Sequence, residues 1–215
     1  RFYYILTRPN WTSWLARGAF LLTGHSAIAT AWVFGALMGW DSVLTAMAPV
    51  AILAAFAATI YTGFLFAQGL ARDLWQGPHA TIDLFVQACA EGAGAMLIVA
   101  IFVDVDRSTL RSVALVLAGA SAVHFLLLAL EHLFTPSPTV HHELANRAIR
   151  FGAFRRLFWI GALGMGGVLP LVLVTAAASL DFSLVVLVPA ALIALAGSLA
   201  WEYIWVEAGQ AVPNS

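Results

Sequence analysis

Residues 80–103 read ATIDLFVQACAEGAGAMLIVAIFV, a stretch that is apolar over most of its length. An α-helix needs about 20 mostly apolar residues to cross the hydrocarbon core of a bilayer. Three polar side chains interrupt this stretch, Asp83, Gln87 and Glu91, and their spacing of four places them on one helix face. The stretch therefore predicts a membrane-spanning helix that carries a polar stripe.

Five other stretches have the same length and apolar character. The six predicted spanning helices occupy residues 13–37, 43–66, 80–103, 110–134, 154–179 and 183–206. Hydrophobic residues make up 62% of the chain and charged residues only 10%, whereas soluble domains have about 45–50% and 25%. We therefore predict an all-α, polytopic transmembrane helix bundle that forms a single integral membrane domain over residues 1–215.

The basic residues lie mainly at one end of the predicted bundle. All 10 are arginine, and the absence of lysine excludes a retinal Schiff base, which requires a lysine amine. Only Arg107 and Arg111 fall on the side opposite the N-terminus. Because cytoplasmic loops carry an excess of basic residues, we predict that both ends of the chain are cytoplasmic, in the inner membrane of a bacterium or archaeon.

Aromatic and small residues also fit a membrane bundle. Aromatic side chains near the predicted helix ends are typical of interfacial anchors, and they are Trp11, Trp14, Trp40, Trp75, Trp201, Tyr203 and Trp205. In the fifth predicted helix Ala162 and Gly166 are four residues apart, and Pro170 follows one turn later. This pattern predicts a close approach between helices and a kink at the proline.

A few ionisable side chains lie deep within the predicted helices. A charge at the bilayer centre costs about 2.5–3.5 kcal/mol on insertion scales, and such residues usually mark a path for protons, ions or a redox ligand. Counted from the predicted cytoplasmic ends, Glu91, His124 and His25 share one level, while Asp83 and Glu131 share a shallower one. The proton pathway predicted from these depths consists of Asp83, Gln87, Glu91, His124 and Glu131.

Other interpretations of these residues stay open. Glu91 and His124 could form a hydrogen-bonded pair that only fixes helix packing. His25 and His124 could ligate a b-type haem, but no second histidine pair is predicted near the other face, so haem b is disfavoured. A proton- or ion-translocating module without quinone is a further alternative. Cys89 alone builds no metal site, and we predict neither a metal centre nor a set of catalytic residues.

Five segments spread over the whole chain carry an additional pattern. They are RFYYILTRPNWTSWLARGAFLL (1–22), YTGFLFAQGLARDLWQGP (61–78), HHELANRAIRFGAFRRLFW (141–159), GGVLPLVL (166–173) and WEYIWVEAGQAVPNS (201–215). In their order and spacing these segments resemble the NrfD-like family, the membrane subunits of polysulfide-reductase-type complexes.

The resemblance implies an eight-helix subunit with two bundles, of which this chain would supply the third to eighth helices, with the first two upstream. It also implies a bound quinone, menaquinone or ubiquinone, and docking onto an iron–sulfur subunit and often a molybdopterin-type catalytic subunit. Tyr61 corresponds to a tyrosine of the family, and we expect it and His25 to contact the quinone or its proton route. The expected function is exchange of electrons and protons between quinone and the iron–sulfur partner, within the lipid membrane and without nucleic acid; some family members also translocate protons.

Overall fold

The computed structural model describes residues 3–77 and 79–212, and their regular structure is entirely helical. The α-helices are α1 (Tyr4–Thr7), α2 (Trp14–Leu37), α3 (Asp41–Ala67), α4 (Ala80–Val99), α5 (Arg107–Ala129), α6 (Val140–Arg150), α7 (Leu169–Ala178) and α8 (Leu184–Ala211). A 3₁₀ turn (Asp73–Gln76) precedes α4, and two π-helical segments (Leu130–Phe134 and Leu157–Val168) continue α5 and lead into α7.

Six helical segments in these ranges are long and apolar enough to span a membrane, as predicted. They are Trp14–Leu37, Asp41–Ala67, Ala80–Val99, Arg107–Phe134, Leu157–Ala178 and Leu184–Ala211. The all-α, polytopic fold class is therefore confirmed. The largest differences in boundaries are the end of α4, which is Val99 rather than residue 103, and the end of α8, which is Ala211 rather than residue 206.

Contacts divide the chain into two units, and the first ends at Gly69. It contains α2 and α3, which form an antiparallel hairpin that turns at Gly39, where φ is +69°. Small residues on α2 bring the helices close together: a Cβ atom on Gly18 would lie 2.1 Å from Cε2 of Tyr61. The Tyr61 ring therefore lies directly against the backbone of α2.

The second unit begins at Leu70 and contains four spanning segments that pack into a bundle. Helix α4 packs against α5 and α8, and the segment formed by Leu157–Val168 and α7 packs against α5 and α8. Alanines such as Ala114, Ala177 and Ala190 have no exposed surface in the core. Since lipid supplies no hydrophobic driving force between helices, small side chains favour close van der Waals contact there.

Glycines form the tightest contact in this bundle. Gly166 lies against Gly197 of α8, and a Cβ atom on Gly197 would lie 2.0 Å from the backbone nitrogen of Gly166. The predicted close approach at Gly166 is therefore confirmed. Pro170 has no N–H group to donate to the carbonyl of Gly166, which is consistent with the irregular, π-helical backbone that precedes α7.

Arg72 caps the C-terminal end of α8. Its Nη1 atom donates hydrogen bonds to the carbonyl oxygens of Gly209 (3.2 Å), Gln210 (3.2 Å) and Val212 (2.9 Å). The last carbonyl groups of a helix have no partner within the helix and carry partial negative charge. A guanidinium group is suited to satisfy several of them at once.

Replacing Arg72 with glutamine is expected to lower the free energy of unfolding by about 1–3 kcal/mol, since charge-assisted hydrogen bonds to α8 are lost. The thermal unfolding midpoint of the detergent-purified protein would measure this. Arg111→Gln is the matched control, because Arg111 is exposed and its guanidinium lies 6.0 Å from the ring centroid of Phe182 at the other end of the bundle. Equal midpoints for the two variants would contradict the capping role.

Candidate functional site

A buried carboxylate, Asp83, lies at the centre of a hydrogen-bond network in the second unit. Its Oδ1 atom is 2.6 Å from Nδ1 of His124 on α5, and its Oδ2 atom accepts hydrogen bonds from Nε1 of Trp201 (3.0 Å) and Nε2 of Gln87 (2.9 Å). Asp83 is only 7% exposed and His124 2%. A charge in such surroundings is tolerated only when it is paired and hydrogen-bonded, and this carboxylate has three polar partners on three helices.

The pairing of Asp83 with His124 corrects the depths derived from the sequence. Those depths placed His124 level with Glu91 and Asp83 level with Glu131, which is wrong by about two helical turns. The lengths of the two helices explain the error. Helix α4 has 20 residues and the following span has 28, rather than the 24 and 25 residues predicted. The longer helix therefore runs past the start of α4, and its Glu131 carboxylate lies near Gly77 instead.

Trp201 was wrongly assigned to the membrane interface. Because α8 continues to Ala211, Trp201 lies almost three turns inside the helix and is only 3% exposed. Its indole N–H group donates to Asp83, and its ring lies edge-on to that of His132, with 5.0 Å between centroids. The proximity of a Trp to the predicted end of α8 suggested an anchor, so this donor was missed.

Several buried polar atoms around the network have no hydrogen-bond partner among the described residues. Nε2 of His124 and Oγ of Ser121 are buried and have no hydrogen-bond partner among the described residues. Ser121 precedes His124 by three residues, so both side chains lie on one face of α5. Both ring nitrogens of His132, which is fully buried between Trp201 and Phe158, are likewise unpaired within the described ranges. His132 was not among the predicted site residues, although it follows His124 by about two helical turns.

Glu131 lies between the network and a larger cavity. A small cavity of about 20 Å³ is shared by Glu131, Asp83, Gln87 and Trp201, which is enough space for one water molecule. On its other side Glu131 borders a cavity of about 460 Å³ that is also lined by Asp73 and other residues, including His79, Thr139 and His142. The Glu131 side chain therefore contacts both cavities, at the end of the bundle where α4 begins.

Glu91 is half-buried and lies two turns further along α4 than Asp83. It is within electrostatic range of Glu202 and His124, but Nδ1 of His124 is hydrogen-bonded to Asp83. Nε2 of His124 has no hydrogen-bond partner among the described residues, so the alternative that Glu91 and His124 form a hydrogen-bonded packing pair is wrong. Of the predicted pathway residues, the structure brings together Asp83, Gln87, His124 and Glu131, with Glu91 beyond them.

His25 and Tyr61 belong to the first unit. The hairpin register sets Tyr61 against Gly18, so Tyr61 lies two helical turns from the level of His25. His25 is half-buried, and its Nδ1 atom is buried without a hydrogen-bond partner among the described residues. The structure does not bring these two side chains together at one level of the hairpin.

Helix α6 lies outside the spanning segments and covers part of the 460 Å³ cavity. His142 on its inner face is buried, and its Nδ1 atom is 3.0 Å from Oγ of Ser137. Burial lowers the pKa of His142 below its usual 6.5, while the nearby carboxylates of Asp73 and Glu143 act in the opposite direction. The docked helix thus favours the neutral imidazole.

Docking of α6 is expected to weaken on acidification. A histidine with a lowered pKa in the folded state contributes stability above its ordinary pKa, and that stability is lost as the pH falls below about 6.5. The titratable groups near it are Asp73, Glu143 and His132, and across the cavity Glu131 and His79. Hydrogen exchange of the α6 amides, corrected for intrinsic rates, should become faster below this pH, and the increase should be smaller in His142→Gln.

The α8 amides serve as the internal reference for this measurement. An identical pH dependence in His142→Gln and the wild type would contradict the role of His142.

No group of three or more His, Cys, Asp or Glu side chains is placed to hold a metal ion within residues 3–77 and 79–212. Cys89 is a free, partly exposed thiol. The side chains that the network does contain are carboxyl and imidazole groups, which can transfer protons, and an indole group, which donates a hydrogen bond.

These features define a polytopic helical membrane protein with a buried carboxylate–histidine network in a four-helix unit. The chain matches the family model described as "Polysulphide reductase, NrfD" over residues 1–214. It belongs to the NrfD polysulphide reductase family, which confirms the resemblance noted from its motifs, and it is an integral membrane protein.

Two curated relatives are similar to the chain. A selenate reductase subunit of Mesobacillus selenatarsenatis is 31% identical over 119 residues, which cover 53% of this chain and 28% of the relative. A putative dimethyl sulfoxide reductase membrane subunit of Halobacterium salinarum is 31% identical over 206 residues, which cover 88% of this chain and 45% of the relative. The chain thus spans less than half of the length of each. No solved structure matches it.

Proposed function

We propose that the chain is the membrane subunit of a respiratory redox complex, in which it exchanges electrons and protons between a membrane quinone and an iron–sulfur partner subunit. Family membership supports this proposal, as do two relatives whose names describe reductase subunits. The partner would exchange electrons with a molybdopterin-type catalytic subunit. We place the complex in the cytoplasmic membrane of a bacterium or archaeon, with both chain ends on the cytoplasmic side.

The observation that carries the proposal is the buried Asp83–His124 hydrogen bond of 2.6 Å. Reduction of a quinone by two electrons consumes two protons and oxidation of the quinol releases them, so protons must travel to or from a site within the apolar bilayer. A carboxyl group paired with an imidazole can receive and release protons without a free charge in lipid. A pair that served only packing would not need the unpartnered Nε2 atom of His124 on its inner side.

The cavities suggest the order of the transfer steps during quinone reduction, and quinol oxidation would run the same steps in reverse. A proton from the 460 Å³ cavity would first bind to Glu131, which borders it. One water molecule in the 20 Å³ cavity would carry it to Asp83. Asp83 would then transfer a proton to Nδ1 of His124 while the ring releases the proton held on Nε2. Gln87 and Trp201 would hold the carboxylate in position through hydrogen bonds to Oδ2.

The quinone-binding residues remain a prediction. His25 and Tyr61 are the proposed contacts to the quinone, which would be menaquinone or ubiquinone, or to its proton route. His25 offers a ring nitrogen without a partner among the described residues, and Glu91 would extend the proton route beyond His124. That residues 1–215 form a single membrane domain also stays a prediction.

Quinol oxidation by the complex in proteoliposomes tests the proposal, with proton uptake or release followed by a pH-sensitive dye. Removal of a positioned proton carrier lowers rates by about 10²–10⁴-fold, so we expect Glu131→Gln to lower turnover towards the lower end of that range. Glu207→Gln is the matched control, because Glu207 is exposed on α8 near the end of the bundle where Glu131 lies. This variant should leave turnover unchanged.

Two results would contradict the proposal. Turnover that is unaffected by quinone analogues, in a protein that retains no quinone on purification, would favour a proton- or ion-translocating module without quinone. A b-haem band in the reduced-minus-oxidised spectrum would favour the haem-bearing alternative instead.

A further inference from the structure

A cluster of arginines lies where α6 gives way to the next spanning segment. This arginine elbow consists of Arg147, Arg150, Arg155 and Arg156. Arg147 is paired with Glu143 at 2.9 Å, and the guanidinium of Arg150 lies 4.9 Å from the ring centroid of Phe151. Arg155 and Arg156 are exposed, and neither has an ion-pair partner in the part of the chain that the structure describes. Two adjacent positive charges are therefore available to a ligand.

An exposed apolar strip begins directly below these two arginines. Leu157 starts the spanning segment, and Ile160 is 65% exposed. Arg156 and Ile160 are four residues apart, close to one turn of this π-helical segment, and so lie on a similar side of it. The Trp159 ring borders this strip, and its Nε1 atom donates to the carbonyl of Arg150 at 3.2 Å. The surface thus combines a positive head with an apolar tail region.

Helix α6 has the surface of a helix that lies along the membrane interface. Its inner face buries Ala145 and Ile149, among others, whereas Leu144 on its outer face is exposed. Phe151, directly after the helix, is 66% exposed. Amphipathic helices with arginines and exposed apolar side chains lie at the boundary between headgroups and acyl chains. This orientation puts the arginine elbow at headgroup depth.

We propose that the arginine elbow binds the headgroup of an anionic phospholipid, with Arg155 and Arg156 on the phosphate and the acyl chains along Leu157 and Ile160. Guanidinium groups match phosphate oxygens with paired hydrogen bonds. The exposed strip favours a lipid over an acidic protein partner, because it continues into the spanning segment, where a soluble protein surface would not reach.

The test compares the purified protein in phosphatidylcholine vesicles with and without phosphatidylglycerol. Retained lipid is quantified after extraction, and thermal midpoints are measured in both compositions. Each arginine near an anionic surface contributes roughly a fivefold preference. We therefore expect the double variant Arg155→Gln/Arg156→Gln to lower the preference for phosphatidylglycerol by roughly 10- to 30-fold. The double variant should keep the wild-type midpoint in phosphatidylcholine alone, which shows that it folds.

Arg111→Gln removes a charge from the opposite end of the bundle and should keep the wild-type lipid preference. An equal loss in Arg111→Gln would show a general charge effect and overturn the proposal, as would an unchanged preference in the double variant. Stabilisation of the wild type by inorganic phosphate to the same extent as by phosphatidylglycerol would point to a phosphate site and also overturn it. Loss of a partner subunit from the double variant, without any change in bound lipid, would assign the elbow to protein docking instead.

Discussion

Replacement of Asp83 with asparagine is expected to lower quinol-coupled proton transfer by about 10²–10⁴-fold while the protein still folds. The amide has nearly the shape of the carboxylate, and its oxygen can still accept from Trp201 or Gln87. It cannot accept a proton and pass it on to His124, whose Nδ1 atom lies 2.6 Å from the carboxylate. Quinol oxidation and dye-detected proton movement in proteoliposomes would measure the loss.

Three further variants separate this chemical effect from a structural one. Asp104→Asn changes an exposed carboxylate at the other end of the bundle and should have no effect. Asp83→Glu keeps a carboxyl group and should retain part of the activity. Asp83→Ala leaves the buried donors of Trp201 and Gln87, and the Nδ1 atom of His124, without a partner, at about 1–3 kcal/mol each, and should lower the thermal midpoint. Wild-type turnover in Asp83→Asn would contradict the proton route.

The fold could be predicted largely from apolar length, because a bilayer demands about 20 apolar residues per helix whatever the packing. The site depended on register, which apolar length does not determine. Residues 100–103 are apolar but lie outside α4, and Arg107 begins α5 although it is charged. The predicted end of α4 and the predicted start of α5 were both too late in the sequence. In an antiparallel pair these two errors add, and together they placed Glu91 instead of Asp83 level with His124.

A capping pattern in the sequence could have corrected the start of α5. Asp106 accepts a hydrogen bond from the backbone nitrogen of Thr109, and Asp followed by the first helical turn is a common N-cap arrangement. Bonds from Ser108 and Thr109 hold the pKa of Asp106 well below its usual range. If α5 is taken to begin at Arg107, the antiparallel pairing of α4 and α5 alone places His124 near Asp83. Trp201 has no such signal, because its partner lies 118 residues away.

Replacement of Gly197 with alanine is expected to have the largest effect on stability. The added Cβ atom would lie 2.0 Å from the nitrogen and 2.3 Å from the Cα atom of Gly166. Both are backbone atoms, so no side chain can rotate away and the two helices must separate. Overpacking of a core costs about 1–3 kcal/mol even where side chains adjust, and we expect a loss at or above the upper end, measured as the thermal midpoint in detergent.

Gly119→Ala is the matched control, since a Cβ atom on Gly119 of α5 would meet nothing within 4 Å. Alanine is the better helix former by about 1 kcal/mol, so this variant should be as stable as the wild type or slightly more. Equal midpoints for the two variants would contradict the backbone contact at Gly197. Because Trp201 follows Gly197 by one turn, a displacement of α8 also alters the hydrogen bond from its indole to Asp83. Surviving Gly197→Ala protein should therefore lose proton-coupled turnover as well, which links the tightest packing in the bundle to its buried polar network.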